Sequence, residues 1–327
     1  MSCHCCRRRR SWASAESSSL RSLRRKGGVD DMHAAELKGL TKSYGGQHAL
    51  DGITLKMEEN RIYGLLGRNG AGKTTLMHVL TAQLFATSGE VKVFGSDPFE
   101  NEEALRKICF IKESQKYPEN FRVCDVLAVA SSLYPRWSAE TAEQLLKEFR
   151  LPKNKRVKKL SRGMLSAVGI IVGLASRAEL TLFDEPYLGL DAVAREIFYR
   201  NLIQEYAELP RTIVLSSHLI DEVSGLLEHI YLIDRGRLIL DEEAELLRSR
   251  AYSVAGPAAK VDAFLGGRSV LGKEQLGGFL RASVLGELGE GGMAAAKTAG
   301  LEAAPLSLQQ LVVQMTGNEA GYEEGSA

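Results

Sequence analysis

Hydrophobic and polar residues recur along the chain in two periods, which predict strands in some segments and helices in others. Ile53, Leu55 and Met57 are separated by polar residues, and this period of two is typical of a strand with one buried face. Residues 73–84 instead have helical character. Further short apolar segments predict strands at 61–66, 90–94 and 108–112. The periodic part of the sequence therefore begins as a series of predicted strands, and the helix predicted at 73–84 is the next element after the strand at 61–66.

Residues 115–175 change in character and predict a helical region. Residues 123–133 and 138–149 are patterned as helices, and Pro135 separates them. Residues 160–174 predict a buried helix, because apolar residues follow one another there with little interruption. Its apolar part is far shorter than the 18 or so residues that a membrane-spanning helix requires. We therefore predict no transmembrane segment, and we expect any membrane-spanning part to belong to another chain.

From residue 180 onward, strands and helices alternate again. Continuous apolar runs predict three strands that are buried on both faces, at 180–183, 212–215 and 230–233. Residues 192–206 predict a helix between the first two, and residues 237–240 predict a last strand. This alternation indicates the α/β class.

Residues 241–316 differ in composition from the rest, since they contain many Gly and Ala residues. Short strand-like pieces occur at 252–254 and 282–285. We expect a small α+β accessory or regulatory domain here, followed by a frayed tail over residues 317–327.

The last helix of this region is predicted at 307–315. Ser307 and Gln310 have the spacing of a capping box, in which each side chain bonds the backbone N–H of the other residue. One face of the helix is apolar and consists of Leu308, Leu311, Val312 and Met315.

The composition is ordinary for a globular protein, with 44% hydrophobic and 25% charged residues. The net charge of +1 is unevenly distributed, because residues 1–28 carry eight basic residues and one acid, +7, which leaves −6 elsewhere. Nucleic-acid-binding domains more often carry basic charge on the folded part, so this distribution disfavours such a function.

We interpret residues 1–31 as a disordered basic leader and Met32 as a candidate start. His4 and its neighbouring cysteines lie too close together for usual zinc sites, which favours a leader over a metal site.

The pattern G-x-x-x-x-G-K-T occurs at residues 67–74, between a predicted strand and a predicted helix. Glycines let the backbone approach phosphates closely, and successive N–H groups at a helix N-terminus attract anions. Lys73 supplies a cation for the β- and γ-phosphates, and Thr74 supplies a hydroxyl for Mg²⁺. The predicted nucleotide site consists of Gly67, Arg68, Asn69, Gly70, Ala71, Gly72, Lys73, Thr74 and Thr75.

Two acids, Asp184 and Glu185, follow the apolar run of residues 180–183. Phosphoryl transfer needs a carboxylate that holds Mg²⁺ and a group that directs the attacking water. Asp184 is our candidate for the first role and Glu185 for the second. The alternative is a pair of solvent-facing acids at a strand end, and the phosphate loop argues against it. His218 follows another buried strand and could reach the γ-phosphate, although a lone histidine there is equally compatible with a structural role.

With these residues, the chain resembles the ATP-binding subunit of ABC transporters over residues 34–240. Residues 67–74 match the Walker A motif, and residues 180–185 match the Walker B motif with its catalytic acid. The resemblance implies an ABC-type P-loop NTPase with a mixed sheet core, an antiparallel β subdomain and a helical subdomain at about 115–175. It also implies that ATP is hydrolysed.

Three further positions are similar to functional residues of this family. His218 resembles the switch histidine, and Tyr44 resembles the aromatic residue that stacks on adenine. Leu188-Gly189-Leu190-Asp191 resembles the D-loop, which would add Asp191 to the nucleotide site. The implied catalytic residues are Glu185, His218 and Lys73.

Leu160-Ser161-Arg162-Gly163-Met164 stands where the family has its signature motif. Ser161 and Gly163 are retained, and the resemblance implies that they contact the γ-phosphate of ATP bound to the opposite subunit. Arg162 and Met164 depart from the family pattern. Ser161 at a helix start still forms an anion-binding cap, so we expect this half-site to work.

The family's Q-loop contains a glutamine that contacts Mg²⁺. Glu113 stands at the aligned position in this chain, and Gln115 lies two residues later. We favour Glu113 over Gln115. The implied metal ligands are therefore Thr74, Asp184 and Glu113.

The resemblance implies a head-to-tail dimer, of identical or different subunits, with two ATP molecules between them. It also implies a separately encoded membrane permease and a cytoplasmic position, peripheral on the inner face of the membrane. The amino-acid sequences at residues 160–164 and 183–191 are similar to those of a bacterial exporter-type branch of the family, which implies export. Candidate permease contacts are Tyr117, Pro118 and Phe121, for which core packing is the alternative.

A second hypothesis is a soluble ABC ATPase with a regulatory or ribosome-associated role. Ribosome-acting relatives usually carry two cassettes, whereas this sequence has one phosphate loop. DNA-repair relatives insert long coiled coils between the Walker motifs. Lys73 and Asp184 are only 111 positions apart, and no heptad repeat lies between them.

Overall fold

The computed structural model describes residues 33–113, 115–266, 268–286 and 289–317. The predictions for the leader, residues 1–31, and for the tail beyond residue 317 lie outside these ranges. The described chain has an α/β core with an antiparallel sheet on one side, and a small α+β region at its end. This architecture confirms the predicted fold class.

The helices and strands of the described ranges follow one another in a mixed order. The strands are β1 (His33–Tyr44), β2 (Gln47–Glu58), β3 (Ile62–Leu66), β4 (Ser88–Val93), β5 (Ile108–Ile111), β6 (Leu180–Asp184), β7 (Thr212–Ser216), β8 (His229–Asp234), β9 (Arg237–Glu243), β10 (Ala251–Pro257), β11 (Val270–Leu276), β12 (Phe279–Leu285) and β13 (Glu302–Pro305). The helices are α1 (Lys73–Leu80), α2 (Glu102–Leu105), α3 (Val123–Leu133), α4 (Ala139–Glu148), α5 (Arg162–Ala175), α6 (Ala192–Glu208), α7 (Ile220–Val223), α8 (Ala244–Arg250), α9 (Ala258–Leu265), α10 (Gly289–Thr298) and α11 (Leu308–Gly317). Across these residues, no helix combines the length and apolar character that crossing a bilayer requires.

The central sheet has six strands in the order β5-β6-β7-β3-β8-β9. All neighbours are parallel except β9, which runs antiparallel to β8 as far as Glu243. Strands β6 and β7 are buried along their whole length, as their continuous apolar runs predicted, and so is β3. The carboxyl ends of these three parallel strands meet at one edge, where such sheets bind their ligands.

Each face of the central sheet is covered by a separate hydrophobic core. Strand β8 shows the division, because Ile230 and Leu232 pack against the helices whereas Tyr231 and Ile233 pack toward the antiparallel sheet. The antiparallel sheet has the order β2-β1-β4 and covers its face together with α1. Helices α3 to α7 cover the other face. Alternate side chains of one strand therefore connect the two layers.

Helix α1 ends at Leu80, four residues before the predicted end at residue 84. The hydroxyl of Thr81 donates to the carbonyl of Met77, and Ala82 has a left-handed backbone with φ 53°. A left-handed residue cannot continue a right-handed helix, so the chain turns there. The apolar residues beyond this turn gave no signal of the break.

The end of the described chain forms a third sheet, of four strands. Its order is β11-β12-β10-β13 with all neighbours antiparallel, and two helices complete a β-α-β-β-α-β arrangement. Val254, Val261, Ala282 and Leu301 belong to its own core. We call β10 to β13 with α9 and α10 the accessory sheet region.

Helix α11 follows the accessory sheet region but packs against the main core. The predicted capping box is present, because Ser307 N donates to Gln310 Oε1 at 3.1 Å and Gln310 N donates to Ser307 Oγ at 3.2 Å. Leu311 is buried in the helical-side core. In addition, Gln309 N donates to Asp221 Oδ1 of α7 at 3.3 Å. The last helix thus connects the accessory sheet region to the segment that follows His218.

Candidate functional site

The phosphate loop connects β3 to α1, and its backbone requires glycine at specific positions. Gly67, Gly70 and Gly72 have φ of 147°, 81° and 112°. A Cβ at Gly67 would lie 2.2 Å from the carbonyl oxygen of Ile233, and one at Gly72 would lie 2.6 Å from that of Ala49. Both the backbone conformation and the close packing therefore exclude larger residues.

Lys73 begins α1 and is almost fully buried. Its Nζ donates to the carbonyl oxygens of Gly67 at 2.9 Å and Arg68 at 3.2 Å. Burial lowers the pKa of Lys73, and the nearby charges of Glu185 and Asp184 act in the opposite direction. The ammonium group is therefore held over the loop, beside both acids of the predicted site.

Asp184 is the last residue of β6 and is buried, with both carboxylate oxygens hydrogen-bonded. Thr74 Oγ1 donates to Oδ2 at 2.7 Å, and Ser216 Oγ donates to Oδ1 at 2.7 Å. The structure thus joins two of the three predicted metal ligands, which lie 110 positions apart in sequence.

The donor set at Asp184 fits Mg²⁺. Carboxylate and hydroxyl oxygens suit this ion, which usually takes one or two carboxylates together with phosphate oxygens and waters. Within the described ranges, no cluster of three or more His, Cys, Asp or Glu side chains could hold a metal by itself. Nucleotide phosphates would therefore have to complete the coordination of a Mg²⁺ ion at Thr74 and Asp184.

Glu185 and His218 are in direct contact. His218 Nδ1 lies 2.6 Å from Glu185 Oε2. Glu185 is buried and has a left-handed backbone with φ 49°, a conformation that costs a non-glycine residue free energy and is often found at functional sites. The histidine side chain is 45% exposed, so this pair has one buried and one accessible member.

Several residues that contact these acids were missed in the sequence analysis. The hydroxyl of Tyr187 lies 2.5 Å from Glu185 Oε2 and 2.7 Å from Ser217 Oγ. Ser216 ends a buried strand and Ser217 follows it, directly before His218, and that position was a usable signal. Tyr187 gave none, because a tyrosine after Pro186 is compatible with many loops.

The signature segment lies at the start of α5 and is packed against the predicted D-loop. Ser161 caps the helix, since its Oγ accepts from the backbone N–H three residues later at 3.3 Å. A Cβ at Gly163 would lie 2.5 Å from the carbonyl oxygen of Gly189. Ser166 Oγ donates to the carbonyl of Leu188 at 2.7 Å. The retained glycine therefore permits close contact between the two motifs.

Glu113, the predicted third metal ligand, is paired with a basic residue. Arg162 Nη2 donates to Glu113 Oε1 at 2.8 Å, and the two side chains are 66% and 45% exposed. Arg162, one of the two departures from the signature pattern, therefore contacts Glu113, which departs from the Q-loop pattern. The metal role of Glu113 stays a prediction.

The other predicted nucleotide contacts differ in how exposed they are. Tyr44, at the end of β1, is 50% exposed, and Lys42 Nζ lies 5.0 Å from its ring centroid. Asp191 caps α6, because its Oδ1 accepts from Ala194 N at 2.8 Å. The remaining members range from exposed to buried: Arg68, Asn69 and Gly70 are exposed, Thr75 is half-buried and Ala71 is buried.

Two of the three candidate permease contacts are partly covered. Tyr117 and Phe121 are half-buried and pack against the helical-side core. Pro118 is exposed. Core packing, which is the alternative to a permease contact at these positions, therefore accounts for much of the burial of the two aromatic side chains.

Comparison with known proteins agrees with this geometry. The family model described as ABC transporter matches residues 50–188, which include both Walker motifs. The bacitracin transport ATP-binding protein BcrA of Bacillus licheniformis is 33% identical over 214 residues, which cover 64% of this chain and 70% of BcrA. The chain belongs to the ABC transporter ATP-binding proteins. As a member of this family, it is an ATP-binding and ATP-hydrolysing subunit that energises transport through a separate permease.

A second relative and a solved structure extend the comparison. The daunorubicin/doxorubicin resistance ATP-binding protein DrrA of Streptomyces peucetius is 30% identical over 222 residues, which cover 66% of this chain and 67% of DrrA. A solved ATP-binding subunit of an ABC transporter superposes with a TM-score of 0.60 at 25% identity, covering 66% of this chain and 92% of that structure. This ABC ATPase subunit therefore shares the family's fold over about two thirds of its length.

Proposed function

We propose that this ABC ATPase subunit is the Mg²⁺-dependent motor of an exporter, and that two subunits share each ATP between them. The observation that carries the proposal is the convergence of Lys73, Thr74, Asp184, Glu185 and His218 at one edge of the central sheet. These residues come from the start of one helix and from the carboxyl ends of two neighbouring parallel strands, β6 and β7. Their chemistry is that of phosphoryl transfer to water.

In the proposed mechanism, each residue of the site has one task. The backbone N–H groups of residues 67–72 and the ammonium of Lys73 bind the β- and γ-phosphates. Thr74 and Asp184 would hold Mg²⁺, which when bound would neutralise charge on the transferred phosphoryl group. Glu185 accepts a hydrogen bond from the attacking water and orients it in line with the γ-phosphate. His218 stabilises the charge that develops on the γ-phosphate.

The proposed dimer rests on where the signature segment lies. Ser161 is exposed, as is Arg162 beside it, and the N-terminus of the 14-residue helix α5 carries partial positive charge. In the family arrangement, this helix start faces the nucleotide of the opposite subunit. Closure of the dimer on ATP and its opening after hydrolysis would drive the permease between two states.

The relatives support export as the direction of transport. DrrA is named for resistance to daunorubicin and doxorubicin, and removal of a drug from the cell is a direct route to resistance. We propose that the present subunit likewise drives a substrate outward. We place it peripherally on the inner face of the membrane, attached to its permease.

The Glu185→Gln variant tests the assigned chemistry, because the amide accepts a water proton far less well than a carboxylate. We expect phosphate release to fall at least about 100-fold, in the range of lost general-base catalysis. ATP binding should persist, and light scattering after gel filtration should detect an ATP-loaded dimer. Excess chelator should abolish turnover of the unchanged protein.

Glu196→Gln is the matched control, since Glu196 is an exposed acid on α6 outside the site. It should hydrolyse ATP at the normal rate and remain monomeric under the same conditions. Normal turnover in Glu185→Gln would show that the role assigned to this residue is wrong. Turnover that persists in chelator would contradict the metal assignment.

The transport direction needs a cellular experiment. Cells that carry Glu185→Gln in place of the normal gene should accumulate more of the transported compound, which can be sought among bacitracin and anthracycline drugs by survival and by intracellular drug content. Lower accumulation than in unmodified cells would indicate import. Purification from detergent extracts should recover a polytopic membrane protein with the subunit.

A further inference from the structure

Tyr187 lies two residues after Glu185 and is buried against it, with only 2% of its surface exposed. Its hydroxyl oxygen lies 2.5 Å from Glu185 Oε2 and 2.7 Å from Ser217 Oγ. The backbone N–H of His218 also donates to this oxygen, at 3.1 Å. One phenolic oxygen therefore contacts the predicted water-orienting acid, the residue before the switch histidine and the histidine's own backbone.

The protons of this cluster can be assigned by counting donors. A tyrosine hydroxyl carries one proton, and an ionised carboxylate only accepts. The Tyr187 proton therefore lies toward Glu185. The Tyr187 oxygen then accepts from the Ser217 hydroxyl and from the His218 N–H, which uses both of its lone pairs. Burial raises the pKa of Tyr187, with the charge of Glu185 adding to the effect, so the tyrosine remains a donor across the physiological range.

The contacts of Glu185 are asymmetric between its two oxygens. Tyr187 and His218 Nδ1 both contact Oε2, at 2.5 Å and 2.6 Å. Oε1 is then the oxygen that remains to accept a hydrogen bond from the attacking water. Of the two partners of Oε2, the histidine side chain is 45% exposed whereas the tyrosine is buried. The tyrosine is therefore the partner with the less freedom to move away.

We propose that Tyr187 is a positioning residue for ATP hydrolysis, which holds Glu185 Oε2 so that Oε1 faces the attacking water and which ties that carboxylate to the backbone of His218. This inference rests on the proposed role of Glu185. It adds a residue that binds neither ATP nor the metal and acts only through the acid. The left-handed backbone of Glu185 makes such support necessary, since a strained residue keeps its conformation only where its surroundings enforce it.

The test replaces Tyr187 by Phe, which removes the hydroxyl and keeps the ring. We expect kcat for ATP to fall about 10- to 100-fold, because a small misplacement of a reacting group costs up to about 100-fold in rate. KM and the ATP dissociation constant should stay within about twofold, since the tyrosine does not contact nucleotide. A residue with a merely structural role would not lower kcat while leaving KM unchanged.

Tyr206→Phe is the matched control. Tyr206 lies on α6 at a distance from the phosphate loop and is also buried; its hydroxyl oxygen lies 2.7 Å from the carbonyl oxygen of Asn60 and 2.9 Å from the Glu228 carboxylate. Its kcat should be unchanged, and its thermal stability should fall about as much as that of Tyr187→Phe. An equal loss of kcat in both variants would overturn the proposal, because it would trace the effect to general destabilisation.

A double variant separates this inference from the proposed function. If Tyr187 acts through Glu185, then Tyr187→Phe should not lower the residual rate of Glu185→Gln any further. A further 10-fold loss would show that the tyrosine acts elsewhere and would overturn the inference. Normal turnover in Glu185→Gln alone would instead overturn the proposed function.

Ser217→Ala provides a second variant should Tyr187→Phe fold poorly. It removes one restraint on the tyrosine hydroxyl but leaves the tyrosine contact with Glu185 in place. We expect a smaller loss of kcat, about threefold to 10-fold, again with unchanged KM. Unchanged kcat in both Ser217→Ala and a folded Tyr187→Phe would overturn the proposal, and so would an increase in KM at constant kcat.

Discussion

The two halves of the predicted nucleotide site differ in how firmly their side chains are held. At the carboxyl end of the central sheet, Lys73, Asp184 and Glu185 are all buried, and each has at least one hydrogen-bond or charge partner within the chain. At the start of α5, Ser161 and Arg162 are exposed. The first half is preorganised by one subunit. The second half faces solvent, as is expected of a surface that a second subunit would complete.

This difference has a physical origin in the elements that carry each half. Parallel strands covered on both faces place the polar residues at their ends beside a dry core, where unpaired groups are costly, so these residues bond one another. A helix N-terminus at the surface needs only its cap, and its remaining N–H groups and partial charge stay available to an anion.

The largest effect is expected for Lys73→Ala, which removes the buried ammonium from the preorganised half. ATP affinity should fall at least about 30-fold, because truncation of one partner of a buried charge pair costs about 2–5 kcal/mol. Isothermal titration calorimetry of the full chain would measure it, with Lys92→Ala of the exposed β4 surface as control. Unchanged affinity would mean that the phosphate loop does not depend on the preorganised lysine.

An intermediate effect is expected for Ser161→Ala, which alters the outward-facing half. ATPase activity should fall about 10-fold through the lost hydrogen bond across the proposed dimer, whereas ATP affinity of the monomer should be unchanged. Loss of the cap should also lower stability by about 1 kcal/mol.

Ser138→Ala separates these two consequences, because Ser138 caps α4 in the same way, accepting from Thr141 N at 3.2 Å. The control should lose similar stability and keep its activity. Reduced ATP affinity of monomeric Ser161→Ala would contradict the division of the site between two subunits.

The smallest effect is expected for the Glu113–Arg162 ion pair, which connects the two halves within one subunit. Both side chains are largely exposed, so the coupling free energy of the pair should be under about 1 kcal/mol and should decline with salt. A double-mutant cycle of Glu113→Gln and Arg162→Ala in urea unfolding would measure it. A coupling free energy of about 2 kcal/mol or more would show that the outward-facing half of the site is held as firmly as the preorganised half.

Much of the site was predictable because its chemistry is carried by short motifs. The loop at residues 67–74 needs glycines, a lysine and a hydroxyl at fixed spacing, and neighbouring residues in sequence are neighbours in space there. Asp184 and Glu185 were predictable for the same reason, as acids that end an apolar run. The assigned roles of these residues remain predictions that the variants above can test.

Other features depend on residues that are distant in sequence. Arg162 and Glu113 are 49 positions apart, and each departs from a family pattern, but no local signal indicates that the two side chains meet. The contact of Gln309 with Asp221 spans 88 positions. The end of α1 at Leu80 likewise depends on a left-handed residue that the apolar pattern does not reveal.

The sequence by itself determined the class of fold, the family and the residues of the phosphate loop, because periodic burial and backbone contact with phosphate leave direct marks on local composition. Only the tertiary structure decided which side chains complete the site at the carboxyl end of the central sheet. Tyr187, Ser216 and Ser217 join Asp184 and Glu185 because β6 and β7 are neighbours in the sheet, with Asp184 beside Ser216 in register. Hydrogen bonds of this kind depend on distances of about 3 Å between separate strands, which only the packing of the whole chain sets.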